Sequence, residues 1–481
     1  MNFKCMLLFP AIALLALPQH STAQTLLYGT SLQGGDALHN AGTIFSFNPA
    51  TDSVQTLYIF KNDTTDGSGP EADLIYDQTA GLFHTTTFSG GKYTAGSFIS
   101  FNPTTGRDSL LWSFGAYASD GISAFGTPVY DATSGMFYML TAGGGTGNFG
   151  ALCGFNPATG RDTVLHSFSG GTDGNTPMGS LCYDGTNSSW YGFAAVSSGG
   201  AMFQYTPATG TYNHLTPLSG SLYTPTGTPY YDAASGLFYC MGSYGGTHNQ
   251  GSIFTFNPAT LAVNVLWSFG ATGDGQRPVA RLVKHPTNGL FYGMTDIGGS
   301  HGSGTIFSFN PATGLESVVW NFNASTEGYY PMGTLTYYPP DGKFYGMCSA
   351  GGTHSGGTLF SFDPVSDAEV VLWNFGVNHT SAVPYGSLSL KKDVTDVKHS
   401  PANTPFSIYP NPSIGTSTVT GLPLGTVITI YDLRGQKLLT TTMTGATLQI
   451  NLGSFTNGLY MMQAANADGT AGAYKKLVLM R

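Results

Sequence analysis

The sequence predicts an all-β protein, a seven-bladed β-propeller of four-stranded blades closed by strand exchange, followed by a small Ig-like β-sandwich. Three observations carry this expectation. One short motif recurs seven times at nearly constant spacing. Each period holds four strand-like pieces separated by turn residues. The composition suits short strands and tight turns: 67 glycines and 13% aromatics in 481 residues, with only 9% charged, against about 25% charged in an average soluble domain. Long amphipathic helices need more Leu, Ala, Glu, Lys and Arg, and disordered chains are poor in aromatics.

The motif is Phe-x-Asn-Pro, at Phe47, Phe101, Phe155, Phe256 and Phe309, with variants at Tyr205 and Phe362, spaced 50 to 54 residues apart. A period near 50 is that of a propeller blade. The sixth period shows its pieces plainly: VARLVKH (279–285), GLFYGMT (289–295), GTIFSFN (304–310) and ESVVWNF (316–322). These are strands a to d, rich in β-branched and aromatic residues and bounded by Gly, Pro, Asn and Asp. The recurring NPATG text after strand c predicts a tight c–d hairpin.

The chain ends argue for a closed ring over a linear solenoid. The first period begins at strand b (LLYGT, 26–30) and lacks strand a. After the seventh strand d comes a spare PYGSLSL (384–390), matching the strand-a texts PMGSLCY (177–183) and PMGTLTY (331–337). The spare strand completes the first blade, whereas a solenoid needs polar caps at both ends.

The expected organisation is a signal peptide over 1–23, the repeats over 24–390, a linker over 391–404 and a C-terminal domain over 405–481. Lys4, the apolar run 5–18 and Ser21-Thr22-Ala23 predict cleavage before Gln24. The apolar run is short for a membrane span. The tail carries YPNP (Tyr409, Pro410, Asn411, Pro412), ITIYDLRGQ (428–436, with Gly435), then Ile450, Leu452, Gly458, Leu459 and Tyr460, and a closing KKLV that starts at Lys475. This text resembles the type A C-terminal sorting domain of the type IX secretion system, although the last residues, KKLVLMR, depart from the usual Lys-Val-Val-Lys ending. The resemblance implies Sec export, passage across the outer membrane by the type IX machinery, removal of the tail, and surface retention or release. The repeat text LFYGMTDIGGSHGSGTIFSFNPATG (290–314) resembles the GloVer-type, choice-of-anchor tandem repeats, which implies a propeller-like array and no particular chemistry.

Function is less legible. Net charge is −9 with no basic stripe, which argues against nucleic-acid binding. No nucleophile elbow, zincin or P-loop motif is present, and no cofactor or metal is called for. Topology places the b–c and d–a loops on one face and the stereotyped a–b and c–d turns on the other. The b–c loops carry His39, His248, His301 and His354 at equivalent places, where other repeats have Lys92, Thr146 and Ala201. The d–a loops carry Asp66, Asp120, Asp173, Asp274 and Glu327, each before Gly. These nine residues form a candidate binding rim, weighed against plain turn chemistry. Trp112, Trp267, Trp320 and Trp373 recur in strand d and are expected to pack between blades. Cys153, Cys182, Cys240 and Cys348 are expected to be small buried residues, with a Cys153–Cys182 bridge as the alternative. The expected function is a surface module binding a glycan or protein; the alternatives are a carbohydrate-active hydrolase or lyase and a structural adhesin. An enzyme calls for carboxylates, His or Tyr with perturbed acidity at a channel mouth, a binder for exposed aromatics in a groove.

Overall fold

The computed structural model describes residues 25–36, 38–196, 199–219, 222–223, 227–377, 381–391, 406–431, 437–465 and 472–480. The expected signal peptide, its cleavage site, linker residues 392–404 and Gly435 lie outside these. The chain divides into two units, one ending at Lys391 and the other following it. Among the described residues no helix is long and apolar enough to cross a membrane.

The first unit contains seven antiparallel sheets that follow the a-b-c-d order. The second sheet is typical: Ile75–Asp77, Leu82–Thr87, Ser97–Asn102 and Arg107–Ser113. The Phe-x-Asn-Pro motif closes the c–d hairpin through its Asn. Asn102 Oδ1 accepts the Thr104 amide at 2.9 Å, and Asn48, Asn156, Asn257 and Asn310 accept the amide two residues on in the same way. A side-chain carbonyl thus imitates a backbone turn.

Volume is matched across strands b and c. Gly29, Gly192, Gly293 and Gly346 in strand b pair with Phe45, Phe203, Phe307 and Phe360 in strand c. A Cβ on Gly293 would meet the Phe307 ring at 2.4 Å, so the ring lies on bare backbone. Where strand b lacks Gly, the pairs are Thr85–Ile99, Met139–Cys153 and Cys240–Phe254. In the first two the strand-c residue is smaller than Phe.

Seven buried clusters join the sheets in sequence. Tyr28, Ile44 and Phe60 of the first sheet pack on Phe83, Ile99 and Phe101 of the second. The pattern continues sheet by sheet to the seventh. The seventh then packs on the first, with Tyr345, Met347 and Leu359 against Leu27, Phe45 and Phe47. Trp112, Trp267, Trp320 and Trp373 sit against four of these clusters, between sheets as expected.

The chain end completes the first sheet. Ala382–Pro384 and Ser389–Leu390 pair antiparallel with Leu27–Gln33, in the registers Ser31–Pro384 and Leu27–Leu390. All four expected cysteines are free. The Cys153–Cys182 alternative is therefore corrected: Cys153 is buried between the second and third sheets, whereas Cys182 packs toward the fifth.

The second unit has seven strands in two sheets. Ser407–Tyr409, Thr416–Thr420 and Thr447–Asn451 form one; Lys437–Thr442, Val427–Tyr431, Gly458–Ala465 and Gly472–Leu479 form the other. Both contribute to one core, with Val419 and Ile450 from the first and Ile428, Ile430, Met462 and Leu477 from the second. Of the motif residues, Pro410–Pro412 lead into Ser413, whose amide binds the Val478 carbonyl, and Asn411 Oδ1 accepts the Val478 amide at 2.8 Å. Tyr460 donates to the Thr456 carbonyl, and the Lys475 ammonium lies 5.3 Å from the Phe406 ring centre.

Deleting Pro384–Leu390 leaves the Leu27–Gln33 edge unpaired. We expect the deleted protein to lose its single cooperative thermal transition in calorimetry. A melt superimposable on wild type would show that the closing strand is dispensable.

Candidate functional site

The nine rim residues do not form one site. Asp66, Asp120 and Asp274 are buried, and Asp173 and Glu327 are half-buried. Each carboxylate turns inward and caps its own loop. Asp66 accepts from Lys61 N–H and the Tyr58 hydroxyl, and Asp120 from Ala116 N–H, Gly121 N–H and Trp112 Nε1. Asp274 accepts from Gly270 and Gly275, Glu327 from Asn323, and Asp173 from Ser169 and His166. The histidines remain outside. His248, His301 and His354 are exposed, and His39 pairs with its own neighbour Asp36 at 2.9 Å. The shared-rim expectation is corrected for the carboxylates, because backbone amides of their own loops already claim them.

These carboxylates instead face a second acid on the next sheet. Burial and, after it, the facing Asp66, Asp120, Asp274 and Glu327 raise the pKa of Asp108, Asp162, Glu316 and Glu369, each 42 residues further on in strand d. Asp173 faces Tyr212, and the two remaining strand-d positions are Val54 and Val263, whose preceding loops carry no acid. Burial, then the facing carboxylate, pushes Asp162, Glu316 and Glu369 up to about 8. Among the described residues the only close group of metal-ligating atoms is of this type: Asp120, Cys153 and Asp162, within 4.8 Å of one another and all buried.

A different constellation lies where the innermost strands meet. One segment from every sheet lines a cavity of about 360 Å³, including Asp73, Thr127, Ser180, Thr228, Arg281, Thr334 and Ser387. These seven residues occupy the same place in their repeats and form a collar. The amide of Asp73 donates to Thr127 Oγ1 at 3.0 Å, Thr127 to Ser180 Oγ at 2.8 Å, and Ser180 to Thr228 Oγ1 at 3.1 Å. Thr334 donates to Ser387 Oγ at 2.8 Å, and Ser387 to Asp73 Oδ1. Glycines before the collar residues let neighbouring strands touch: a Cβ on Gly126 would lie 2.3 Å from the Gly179 carbonyl oxygen.

Two of the seven copies break this pattern in the same way. Where others read Gly followed by Ser or Thr, the second sheet reads Ala72-Asp73 and the sixth reads Ala280-Arg281. Ala280 takes a φ of 57°, a left-handed conformation that is costly for a residue with a Cβ. Burial pushes the Asp73 carboxyl up, against the pull of Ser387, Arg281 and Thr127.

Toward the face of the b–c loops the collar opens into a second cavity of about 220 Å³, lined by Phe125, Met178, Tyr244, Arg277, Asp296, Met332 and Tyr385 among others. Phe125 makes edge contacts with Phe88 and Tyr385, at 6.0 and 6.3 Å between centres. Tyr244 is 43% exposed and carries the Arg277 guanidinium 5.8 Å from its ring centre. Arg277 pairs with buried Asp296 at 2.8 Å, yet Arg277 Nε and Asp296 Oδ1 have no partner among the described residues. Buried polar atoms are usually paired, so this open donor and acceptor stand ready for a group from solution. Burial holds Asp296 at about 6 despite Arg277, and burial alone lifts Glu71, beside the collar, to about 7. Tyr385 feels burial and both carboxylates and rises to about 12. The mouth thus combines an aromatic wall, a partly satisfied ion pair and acids that titrate near neutrality. These residues escaped the sequence reading because it collected what recurs. The available signal was the opposite one, two copies of seven that change Gly-Ser/Thr to Ala-Asp and Ala-Arg.

Two of the inter-sheet acids, Glu316 and Glu369, carry a pH signature. They stay neutral in the folded protein up to about pH 8 but ionise near pH 4 when unfolded. The folded state then holds more protons over that interval, so this contribution to stability falls as pH rises. The E316Q/E369Q variant should melt several degrees above wild type at about pH 8.5 and close to it at about pH 5, measured by circular dichroism. Equal offsets at both pH values would refute the buried-acid assignment.

In fold, the chain is similar to a protein described as a 6-phosphogluconolactonase from Bacteroides uniformis (TM-score 0.51, 14% identity, 76% of this chain and 99% of that one). It is also similar to a protein of the same description from Bacteroides fragilis (TM-score 0.50, 12% identity, 77% and 99%). PorZ, a surface component of the type IX secretion system of Porphyromonas gingivalis, aligns at TM-score 0.41 and 14% identity over 91% of this chain and 63% of that one. No curated protein matches. The model of the secretion system C-terminal sorting domain matches residues 407–480, which supports export as a secreted or cell-surface protein. The Gloeobacter/Verrucomicrobia repeat matches twice, over 17–201 and 184–395, so the chain belongs to the Gloeobacter/Verrucomicrobia repeat family and ends in a secretion sorting domain.

Proposed function

We propose that this is an exported, surface-displayed seven-bladed β-propeller that binds a small ligand at the mouth of its central channel, with an Ig-like sandwich as its export tail. The observation that carries the binding reading is the mouth itself. Phe125, Tyr385 and Tyr244 line the cavity with a pair of half-exposed Arg277 and buried Asp296 that keeps an open donor and an open acceptor. Pockets of this kind, mostly apolar with a few convergent polar groups, are the usual form of a small-molecule site. The cycle of seven sheets supports the blade count, since the last sheet packs on the first. Aromatic side chains beside open hydrogen-bonding atoms suit a carbohydrate.

Glu71 and Asp296 support a second reading, a carbohydrate-active hydrolase or lyase. Acids held near 7 and 6 are poised for proton transfer at neutral pH.

Glycan-array and calorimetric binding to the mature full-length protein test the first reading. Tyr385→Ala and Arg277→Ala should each weaken binding by about tenfold or more, with the melting temperature recorded alongside. Unchanged affinity in both variants would remove the mouth from the site. Under the second reading Glu71→Gln abolishes turnover of a bound glycan while leaving its affinity intact; a bound glycan that wild type never cleaves excludes catalysis on it. For the address, deletion of residues 405–481 should hold the protein in the periplasm, scored by fractionation. Surface display of the truncated chain would disprove the role of the tail.

A further inference from the structure

We infer that the channel ligand is a hydroxylated carboxylic acid of monosaccharide size, whose carboxylate is bound by Arg281 and whose hydroxyls are bound by the Ser/Thr collar and Asp73. This rests on the channel being the binding site and goes on to name the chemistry that fills it.

The collar supplies the first argument. Thr127, Ser180, Thr228 and Ser387 each stand beside the next copy in the ring, and a hydroxyl that accepts a backbone amide keeps its own hydrogen to donate. Ser180 and Thr228 accept from Thr127 and Ser180 amides, and among the described residues neither donates to a protein group. The collar bond is not made at the two steps on either side of Arg281 among the described residues; at the step from Thr228 a guanidinium has no acceptor to offer. Arg281 therefore interrupts the ring, beside a Thr228 hydroxyl that keeps its hydrogen to donate.

Charge supplies the second. Arg281 is exposed to the cavity, and no carboxylate lies within ion-pair distance of it among the described residues. It is the only cation lining the larger cavity. Asp73, its counterpart in the collar, is driven toward its neutral form by burial, so it leaves the cation undercompensated and itself serves hydroxyl groups. An Arg fork matches a planar carboxylate through two parallel hydrogen bonds. A cavity of about 360 Å³ has room for a sugar acid.

Backbone strain supplies the third. Of the seven residues before the collar positions, Ala280 is the only non-glycine with a left-handed φ, and it immediately precedes Arg281. A Cβ on the facing Gly227 would collide with the Ala280 carbonyl. Such local cost is retained where the arrangement it produces is used.

The test is calorimetric titration of the mature full-length protein with D-glucuronate, D-glucose and inorganic phosphate, repeated on Arg281→Gln, Arg281→Lys and Tyr385→Ala. Glucuronate should bind about tenfold or more tighter than glucose, and Arg281→Gln should erase that preference, with Arg281→Lys retaining only part of it. Melting curves for each variant separate loss of binding from loss of fold. Equal affinity for glucose and glucuronate, both lost in Tyr385→Ala, overturns the carboxylate inference and leaves the channel-mouth reading standing. Phosphate binding tighter than glucuronate, lost in Arg281→Gln, assigns the site to a tetrahedral anion and overturns the inference. No binding of glucuronate at any concentration tested overturns it outright.

Discussion

The first unit depends on one pairing, the antiparallel addition of residues 382–390 to Leu27–Gln33. Each sheet buries one face against the sheet before it and the other against the sheet after it. Such an arrangement has two raw ends unless it returns on itself. Pairing the chain end with the first strand removes both, and the aromatic cluster between the seventh and first sheets becomes equivalent to the other six. Closure then fixes where everything else can be. It brings seven equivalent strands to one centre, close enough that glycine is needed at most of the contacts, and it creates the collar.

Repetition and function pull in opposite directions here. The features that recur are architectural: the Asn that closes five of the c–d hairpins, the glycine under four of the strand-c Phe rings, the amide-to-hydroxyl collar, the loop carboxylate that caps its own turn. A residue that must satisfy the same local geometry seven times is occupied by that task. The acids of the d–a loops show this well. They looked like ligand groups on a rim, but their own backbone amides hold them and the next sheet covers them. The residues that break the repeat are under no such demand. Asp73, Arg281, Arg277 with Asp296, and Glu71 all fall into this class, and all of them gather at or near the channel.

The inter-sheet acid pairs add a lesson about buried charge. A strand-d acid occurs at four of the five junctions where the preceding loop supplies a facing carboxylate, Tyr212 takes that place opposite Asp173, and valine occurs at the two junctions where the loop has none. Two carboxylates at close range in a dry interface cannot both ionise readily. A proton held on Asp162, Glu316 and Glu369 relieves the repulsion, and these three junctions are joined by acids that are mostly uncharged at neutral pH.

The sequence by itself determined the all-β class, the seven-period texture, the identity of the four strands in each period, the spare strand that completes the first sheet, and the exported tail. These are local or periodic properties, carried by turn residues, strand alternation and spacing, so they are visible in one dimension. Only the tertiary structure decided the site. Asp73 and Arg281 are 208 residues apart in the chain, and they line one cavity only because the sheets share one centre. The inward turn of the loop acids, the free state of Cys153 and Cys182, and the open atoms of the Arg277–Asp296 pair likewise depend on which sheet packs against which. No residue pattern within a single period carries that information, because it is created when seven periods share one centre.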